Sequence, residues 1–168
     1  MSTPNLVRVP HRISRKSPSV SSGIVVAFDK AYVLGVDMKS VKVSDYMVGK
    51  PVTVPETVTI AQAARVITSN KVSGVIVVDS AGRAVGMLSE LDCLRSLLSG
   101  IYNGQTLGGD SVVDAMTTPV TDAAPDDDII SVAESMLLNK QRRRPVVNQG
   151  SLVGQITCRQ LLGALLDY

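Results

Sequence analysis

The sequence predicts an α/β fold in which one small unit is built twice, preceded by an irregular N-terminal extension. The first observation is a repeat, because landmarks of the first unit recur 69 or 68 residues later. The second is that each copy combines β-branched runs with apolar residues at helical spacing. The third is an apolar content of 45%, which is enough to fill a core. Since a repeated unit buries its apolar face against its neighbour, we expect the two copies to pack together.

The first 40 residues differ from the rest of the chain. They carry six basic and two acidic residues, and the part before residue 23 is polar, with prolines and no acid. We expect that part to be extended or disordered. Two β-prone runs between residues 24 and 34 predict a hairpin or edge strands. The predicted organisation is an extension at 1–40, a first unit at 41–105 and a second unit at 106–168.

The repeat rests on many short matches in the same order rather than on one long match. Each unit opens with a short segment that ends in methionine, continues with Pro-Val-Thr, and closes with a Gly-x-x-hydroxyl pattern before an apolar run. The matching positions are Met47 and Met116, Pro51 and Pro119, Val85-Gly86 and Val153-Gly154, Ser89 and Thr157, and Asp92 and Gln160.

Each unit is predicted to contain a strand, a helix, two further strands and a closing helix. The first strand lies at 51–54 or 119–122, and the helical apolar pattern begins at Ile60 or Ile129. Two β-branched runs follow, joined by a tight turn that contains glycine. A leucine-rich helix closes each unit. This order makes each unit a small α/β layer.

Ser89 and Asp92 stand three residues apart where the first closing helix begins, and this spacing has two interpretations. One is a capping box, in which the hydroxyl and the carboxylate each bind a free backbone N–H of the helix start. The other is a nucleotide site, because free N–H groups at a helix start attract phosphate and a carboxylate can accept from ribose hydroxyls. The spacing alone leaves both open.

Composition argues against several classes of function. The two cysteines lie far apart and the only histidine is His11, so no zinc site, catalytic metal or catalytic triad is expected, and we expect no enzyme activity. Residues 41–168 carry two more acidic than basic residues, which argues against nucleic-acid binding. The apolar runs are too short for membrane insertion. A reducing, cytoplasmic location fits this composition.

These landmarks closely resemble the CBS domain, which occurs as tandem pairs called Bateman modules. The residues that carry the resemblance are the Met-x-x-x-Pro-Val start, the strand ending in Asp79 or Asn148, and the Gly-x-x-Ser/Thr close. The resemblance covers residues 42–168. It implies two units with pseudo-two-fold symmetry, two clefts between them, and an adenosine-containing ligand such as AMP, ADP, ATP or S-adenosylmethionine.

The resemblance also implies a set of ligand-binding residues. In the first unit the matching positions are Ser89 and Asp92, with Val52, Thr53 and Val54 as the base-facing strand; in the second they are Thr157 and Gln160, with Val120 and Thr121. Gln160 departs from the pattern, because an amide carries no charge and offers one acceptor oxygen. Arg143, and after it Arg142, are implied to bind phosphate, although a solvated basic turn explains the same run.

The resemblance implies a non-catalytic regulatory or sensor module that needs no cofactor and signals to a separate effector protein. The alternative is a structural homodimerisation module without a tight ligand. The closing helices favour a homodimer in either case, because a paired module covers only one side of each. Their leucines are Leu91, Leu94, Leu97 and Leu98, and Leu161, Leu162, Leu165 and Leu166.

Overall fold

Two three-stranded β-sheets, each carrying helices, form the framework of the protein. The computed structural model describes residues 40–104 and 106–166, so residues 1–39 of the extension predicted at 1–40 lie outside the described residues. The strands are β1 (Val48–Gly49), β2 (Thr53–Pro55), β3 (Gly74–Val78), β4 (Ala84–Ser89), β5 (Arg143–Asn148) and β6 (Ser151–Thr157). The α-helices are α1 (Ile60–Ser69), α2 (Glu90–Tyr102), α3 (Val112–Ala115), α4 (Ile129–Leu138) and α5 (Cys158–Leu166), and a 3₁₀ turn spans Val43–Asp45.

The first sheet has the strand order β2-β3-β4 and shows the predicted strand, helix, strand, strand, helix sequence in full. β2 runs parallel to β3, with Thr53 opposite Ile76, and β3 pairs with β4 in an antiparallel hairpin. The second repeat follows the same plan, but its first strand is reduced to a single parallel bridge between Ala123 and Val146. Its sheet is completed by β1, in the order β1-β6-β5.

The sequence repeat is reproduced in how helices α1 and α4 end. Asn70 and Asn139 each donate a side-chain hydrogen bond of 2.8 Å to the carbonyl oxygen four residues earlier. The next residues, Lys71 and Lys140, both turn the chain with φ of 53°. The backbones of the two repeats therefore follow the same path where they enter β3 and β5.

The opening segment of each sequence repeat packs on the core of the other repeat. Val43 is fully buried in the second core, and Val112 is fully buried in the first. Backbone hydrogen bonds fix both exchanges: Val43 N–H donates to Asp127 O at 3.0 Å, and Val112 N–H donates to Val58 O at 3.2 Å. The packing units therefore do not coincide with the sequence repeats, because each core is closed by a segment from the other half.

Met47 and Met116 follow these exchanged segments and pack where a side chain is missing. Met47 lies against the second core and Met116 against the first. A Cβ atom at Gly154 would lie 2.9 Å from the sulfur of Met47, and a Cβ atom at Gly86 would overlap Met116. The glycines in β4 and β6 thus make room for the two methionines.

Candidate functional site

A cavity of about 390 Å³ lies where the close of the first repeat faces the second repeat. The first repeat contributes the end of β4 and the first turns of α2. The second contributes the chain after α3 and the turn between α4 and β5. The lining residues are Ser73, Met87, Leu88, Ser89, Glu90, Leu91, Asp92, Arg95, Thr117, Pro119, Val120, Thr121, Asn139, Lys140, Gln141, Arg142 and Arg143.

Ser89 and Asp92 form a complete capping box at the start of α2. The Asp92 backbone N–H donates to Ser89 Oγ at 3.3 Å, and the Ser89 backbone N–H donates to Asp92 Oδ2 at 2.9 Å. The Ser89 hydroxyl also donates to Oδ2, at 2.6 Å. The cap interpretation of this spacing is therefore confirmed, and both side chains also line the cavity.

The capping box uses only one of the two carboxylate oxygens of Asp92. Oδ2 accepts from both the backbone and the hydroxyl of Ser89, while Oδ1 accepts from Arg95 Nη1 at 3.3 Å. The Arg95 side chain is 77% exposed, so this pair is a weak surface interaction. Asp92 can therefore hold the helix with one oxygen and offer the other to a ligand.

Cationic side chains outnumber acids around the cavity. Arg95, Lys140, Arg142 and Arg143 are its four cations, against the two acids Glu90 and Asp92. Arg142 is exposed, and its side chain makes no hydrogen bond within the described residues. A mostly cationic wall with a free guanidinium suits an anionic group such as phosphate.

Arg143 joins the two repeats across the cavity. Its guanidinium donates from Nη1 to the carbonyl oxygen of Gly74 and from Nη2 to the hydroxyl of Ser73. Burial lowers the pKa of Arg143 from its ordinary value and Arg142 adds to this, while Glu90 opposes it. The side chain stays a cation, because arginine does not lose its proton in proteins. The two recorded bonds leave other N–H groups of the fork available.

The opposite wall of the cavity comes from the chain that follows α3. Thr117 and Met87 exchange two backbone hydrogen bonds, of 2.8 Å and 3.1 Å, which hold this segment beside β4. The Thr118–Pro119 peptide bond is cis. Val120 and Thr121 come next and line the cavity. This segment thus runs from the first sheet toward the second, where Ala123 bridges to Val146.

Comparison with known proteins identifies the family to which this architecture belongs. The family model of the CBS domain matches residues 43–99 and 112–167. The chain belongs to the CBS domain family. The predicted family and the α/β tandem fold are both confirmed. The boundaries of the two matches follow the sequence repeats, while the cores of the CBS pair exchange their opening segments.

Relatives and solved structures agree with this assignment. An uncharacterised 17.7 kDa protein of Acidianus ambivalens is 31% identical over 128 residues, covering 75% of this chain and 74% of that protein. Three other curated relatives are longer, and the chain spans 42%, 27% and 33% of their lengths.

Two crystal structures with bound ligands share the fold. CBSX2 in complex with AMP matches with a TM-score of 0.65 and 27% identity, over 76% of this chain and 98% of that one. The CBS domain pair of MJ0100, in complex with 5′-methylthioadenosine and S-adenosyl-L-methionine, matches with a TM-score of 0.66 and 22% identity, over 76% and 98%. At that identity the second likeness concerns the fold alone.

The cavity groups the predicted residues differently from the sequence analysis. Ser89 and Asp92 were expected to face 52–54 of their own CBS repeat, but the structure brings them together with Val120 and Thr121 of the other. Val54 is 2% exposed and belongs to the first core. Thr53 and Val54 pair with β3 inside the first sheet. Val120 and Thr121 reach the cavity because Thr117, just before them, is hydrogen-bonded to Met87 in β4.

Thr157 and Gln160, the second close, do not line the cavity. The Thr157 backbone N–H donates to Gln160 Oε1 at 3.1 Å, and the Thr157 hydroxyl donates to the same oxygen. Within the described residues, no return bond from the Gln160 N–H to the Thr157 hydroxyl is present, unlike at Ser89. The second close is therefore a one-sided cap without a carboxylate.

Several lining residues were not predicted from the sequence, among them Gln141, Met87 and Thr117. Lys140, just after the end of α4, also lines the cavity. The Asn-Lys landmark shared by both CBS repeats was the signal that could have directed attention to this turn.

In residues 40–104 and 106–166, no group of three or more His, Cys, Asp or Glu side chains could hold a metal ion. No helix in the same part of the chain is long and apolar enough to cross a membrane.

Proposed function

We propose that the cavity binds an adenine nucleotide or a related adenosine derivative and that the CBS pair acts as a non-catalytic sensor. The observation that carries the proposal is that one cavity combines the carboxylate of Asp92 with the guanidinium groups of Arg142 and Arg143. A nucleotide needs both kinds of group, since its ribose hydroxyls donate hydrogen bonds and its phosphate accepts them.

The ribose is assigned to Asp92. Its Oδ2 oxygen is occupied by the capping box, so Oδ1 accepts from the ribose hydroxyls after the exposed Arg95 turns away. Ser89 keeps Asp92 in place through the 2.6 Å bond from its hydroxyl. The helix cap thus orients the carboxylate before the ligand arrives, which lowers the entropy cost of binding.

The phosphate is assigned to the turn between α4 and β5. Arg142 and Lys140 are exposed cations on the cavity wall, and Arg143 approaches from β5 while bound to Gly74. Guanidinium groups bind phosphate oxygens in pairs, which a lysine cannot reproduce. We assign the base to the remaining wall, between Met87 and the segment of Val120 and Thr121.

The family supports this assignment of ligand class. The crystal structure of CBSX2, at 27% identity over 98% of its chain, is a complex with AMP. AMP, ADP, ATP and S-adenosylmethionine are the candidate ligands for this chain, and no cofactor is required. In this proposal the ligand changes the packing of the pair, and a separate effector protein reads that change. A reducing, cytoplasmic setting fits the two free cysteines, Cys93 and Cys158.

The binding proposal is tested by calorimetric titration of the purified chain with AMP, ADP, ATP and S-adenosylmethionine, accompanied by thermal unfolding. We expect one site per chain and a higher melting temperature with at least one nucleotide. Asp92→Ala should weaken that binding tenfold or more. A folded protein that gives neither heat nor a thermal shift with any of the four ligands rejects the proposal.

A second candidate function is homodimerisation, which the exposed leucines favour. Leu91, Leu94 and Leu98 on α2 are 56%, 52% and 43% exposed, and Leu162 and Leu165 on α5 are 61% and 45% exposed. Such apolar area on the surface marks an interaction site. Sedimentation of the wild type and of Leu94→Gln/Leu165→Gln tests this: we expect a dimer that the double variant converts to a monomer. A wild-type monomer at high concentration contradicts it.

A further inference from the structure

The turn that carries the cavity's cations rests on a buried polar network that the first repeat lacks. Arg144 is 4% exposed and is the buried charged side chain of the described residues. Its Nη2 donates to Gln141 Oε1 at 2.6 Å and to Ser135 Oγ at 3.0 Å, and its Nε donates to the same Gln141 oxygen at 3.2 Å. These bonds tie the end of α4, the turn and β5 together.

The first repeat builds the same three positions from valine. Ser135, Gln141 and Arg144 correspond to Val66, Val72 and Val75 at a separation of 69 residues, and those valines pack in the first core. The backbone is alike in both places, since the N–H of Val72 and that of Gln141 each donate to the carbonyl oxygen five residues earlier, at 3.2 Å and 2.8 Å. The difference is therefore one of side-chain chemistry, made at three contacting positions together.

The polar network costs stability compared with the valine cluster. A buried cation is expensive unless it is paired, and no carboxylate in the described residues forms a salt bridge with Arg144. Asp122 and Asp127 act on it only through space, and burial lowers the pKa of Arg144 from its ordinary value. A valine cluster of the same shape, as in the first repeat, would avoid this cost.

The network fixes the orientation of the Gln141 amide. Arginine has donors and no acceptor, so the atom of Gln141 that faces Arg144 must be the oxygen. Both bonds from Arg144 to Gln141 end on that Oε1, which leaves the amide nitrogen with its two N–H groups facing away from Arg144. That nitrogen donates no hydrogen bond within the described residues, and Gln141 lines the cavity between Lys140 and Arg142.

We propose that Gln141 is a phosphate-recognising hydrogen-bond donor and that Arg144 is the positioning residue that holds its amide in the donating orientation. This inference rests on the proposed function, because the acceptor is the phosphate of the nucleotide in the same cavity. Arg144 does not touch the ligand. It acts through Gln141, and Ser135 shares the second N–H of the same guanidinium nitrogen.

The test compares AMP binding by the wild type, by Ser135→Val/Gln141→Val/Arg144→Val, which copies the first repeat, and by Gln141→Glu. The triple variant should unfold at the wild-type temperature or above it, while its dissociation constant for AMP rises roughly tenfold. A purely structural role predicts that affinity and stability fall together. Gln141→Glu keeps an acceptor for Arg144 but loses the N–H donors. This variant should therefore bind AMP at least as weakly as the triple variant does.

The outcomes separate this inference from the proposed function. If Asp92→Ala weakens AMP binding while the triple variant or Gln141→Glu keeps wild-type affinity, the cavity binds nucleotide and the role of Gln141 is overturned. A triple variant that does not fold overturns the positioning role of Arg144, and the Gln141→Glu titration still decides the donor role. If the wild type binds S-adenosylmethionine but no AMP, ADP or ATP, the role of Gln141 alone is overturned. If it binds none of the four ligands, both proposals fall together.

Discussion

Arg143 and Gly74 occupy the same position in the two CBS repeats, and they contact each other. The Arg143 guanidinium donates to the carbonyl oxygen of Gly74, and a Cβ atom at Gly74 would lie 3.2 Å from Arg143 Cζ. The long side chain of one repeat therefore fits against the missing side chain of the other. This contact connects the two halves of the pair beside the proposed phosphate site.

Gly74→Ala should destabilise the protein by about 1–3 kcal/mol through overpacking. The added Cβ would lie 2.5 Å from Leu88 O and 2.9 Å from Ser89 Cα, and both are backbone atoms that cannot move alone. Gly163→Ala is the control, because its Cβ meets nothing within 4 Å and alanine favours the helix by about 0.5–1 kcal/mol. Chemical denaturation measures both. Equal stability of the two variants contradicts the prediction.

Asp92→Ala and Asp128→Ala should separate capping from ligand binding. Asp128 caps α4 by accepting from the backbone N–H groups of Ile130 and Ser131, at 3.3 Å and 3.0 Å, but it does not line the cavity. Each substitution should cost about 1 kcal/mol of stability as its cap is lost. Only Asp92→Ala should weaken AMP binding in calorimetry. Similar affinities for the two variants would mean that Asp92 serves the helix alone.

Arg142→Ala should lower AMP affinity by about tenfold or more, the effect of losing a hydrogen bond to a charged group. It should also make that affinity less sensitive to salt, because one cation near the phosphate is gone. Arg159→Ala is the matched control: Arg159 is exposed as well, but it lies outside the cavity lining. Titrations at low and high salt give both readings, and the prediction fails if the two variants behave alike.

The two cysteines should react at very different rates with a chromogenic disulfide reagent. Cys158 is exposed, whereas Cys93 is 3% exposed, and burial first, then Asp92, raises the pKa of its thiol. One thiol should react rapidly in the folded protein, and Cys158→Ser should remove that phase. Rapid reaction of both thiols in the folded wild-type protein would contradict the burial of Cys93.

The raised pKa of Cys93 also predicts how the stability of the protein changes with pH. The unfolded thiol ionises near pH 8.5, whereas the folded thiol holds its proton to higher pH. Above about pH 8.5 the folded state therefore binds more protons than the unfolded state, and stability falls as pH rises. Cys93→Ala should flatten this fall in denaturation experiments at pH 7 to 10. If the stability of the variant depends on pH as steeply as that of the wild type, other groups cause the fall.

The local features of this protein follow from short stretches of sequence. Ser89 and Asp92 form the capping box that their spacing predicts, since a cap depends on four consecutive residues. The α/β order was equally readable, because strand and helix periods are local patterns. The second repeat's first strand was the exception: Ala123 makes a single bridge there, and its pairing depends on a neighbouring strand that local sequence does not specify.

Only the tertiary structure decided which of the two cores each residue packs into and which residues meet in the cavity. The repeat predicted Val43 and Val112 as openings of their own units, yet each is buried in the core of the other. The same exchange places Ser89 beside Val120 rather than Val52. The physical reason is that both repeats offer equivalent apolar faces and equivalent strand edges. Only the packing of the whole pair determines which copy of each partner is within reach.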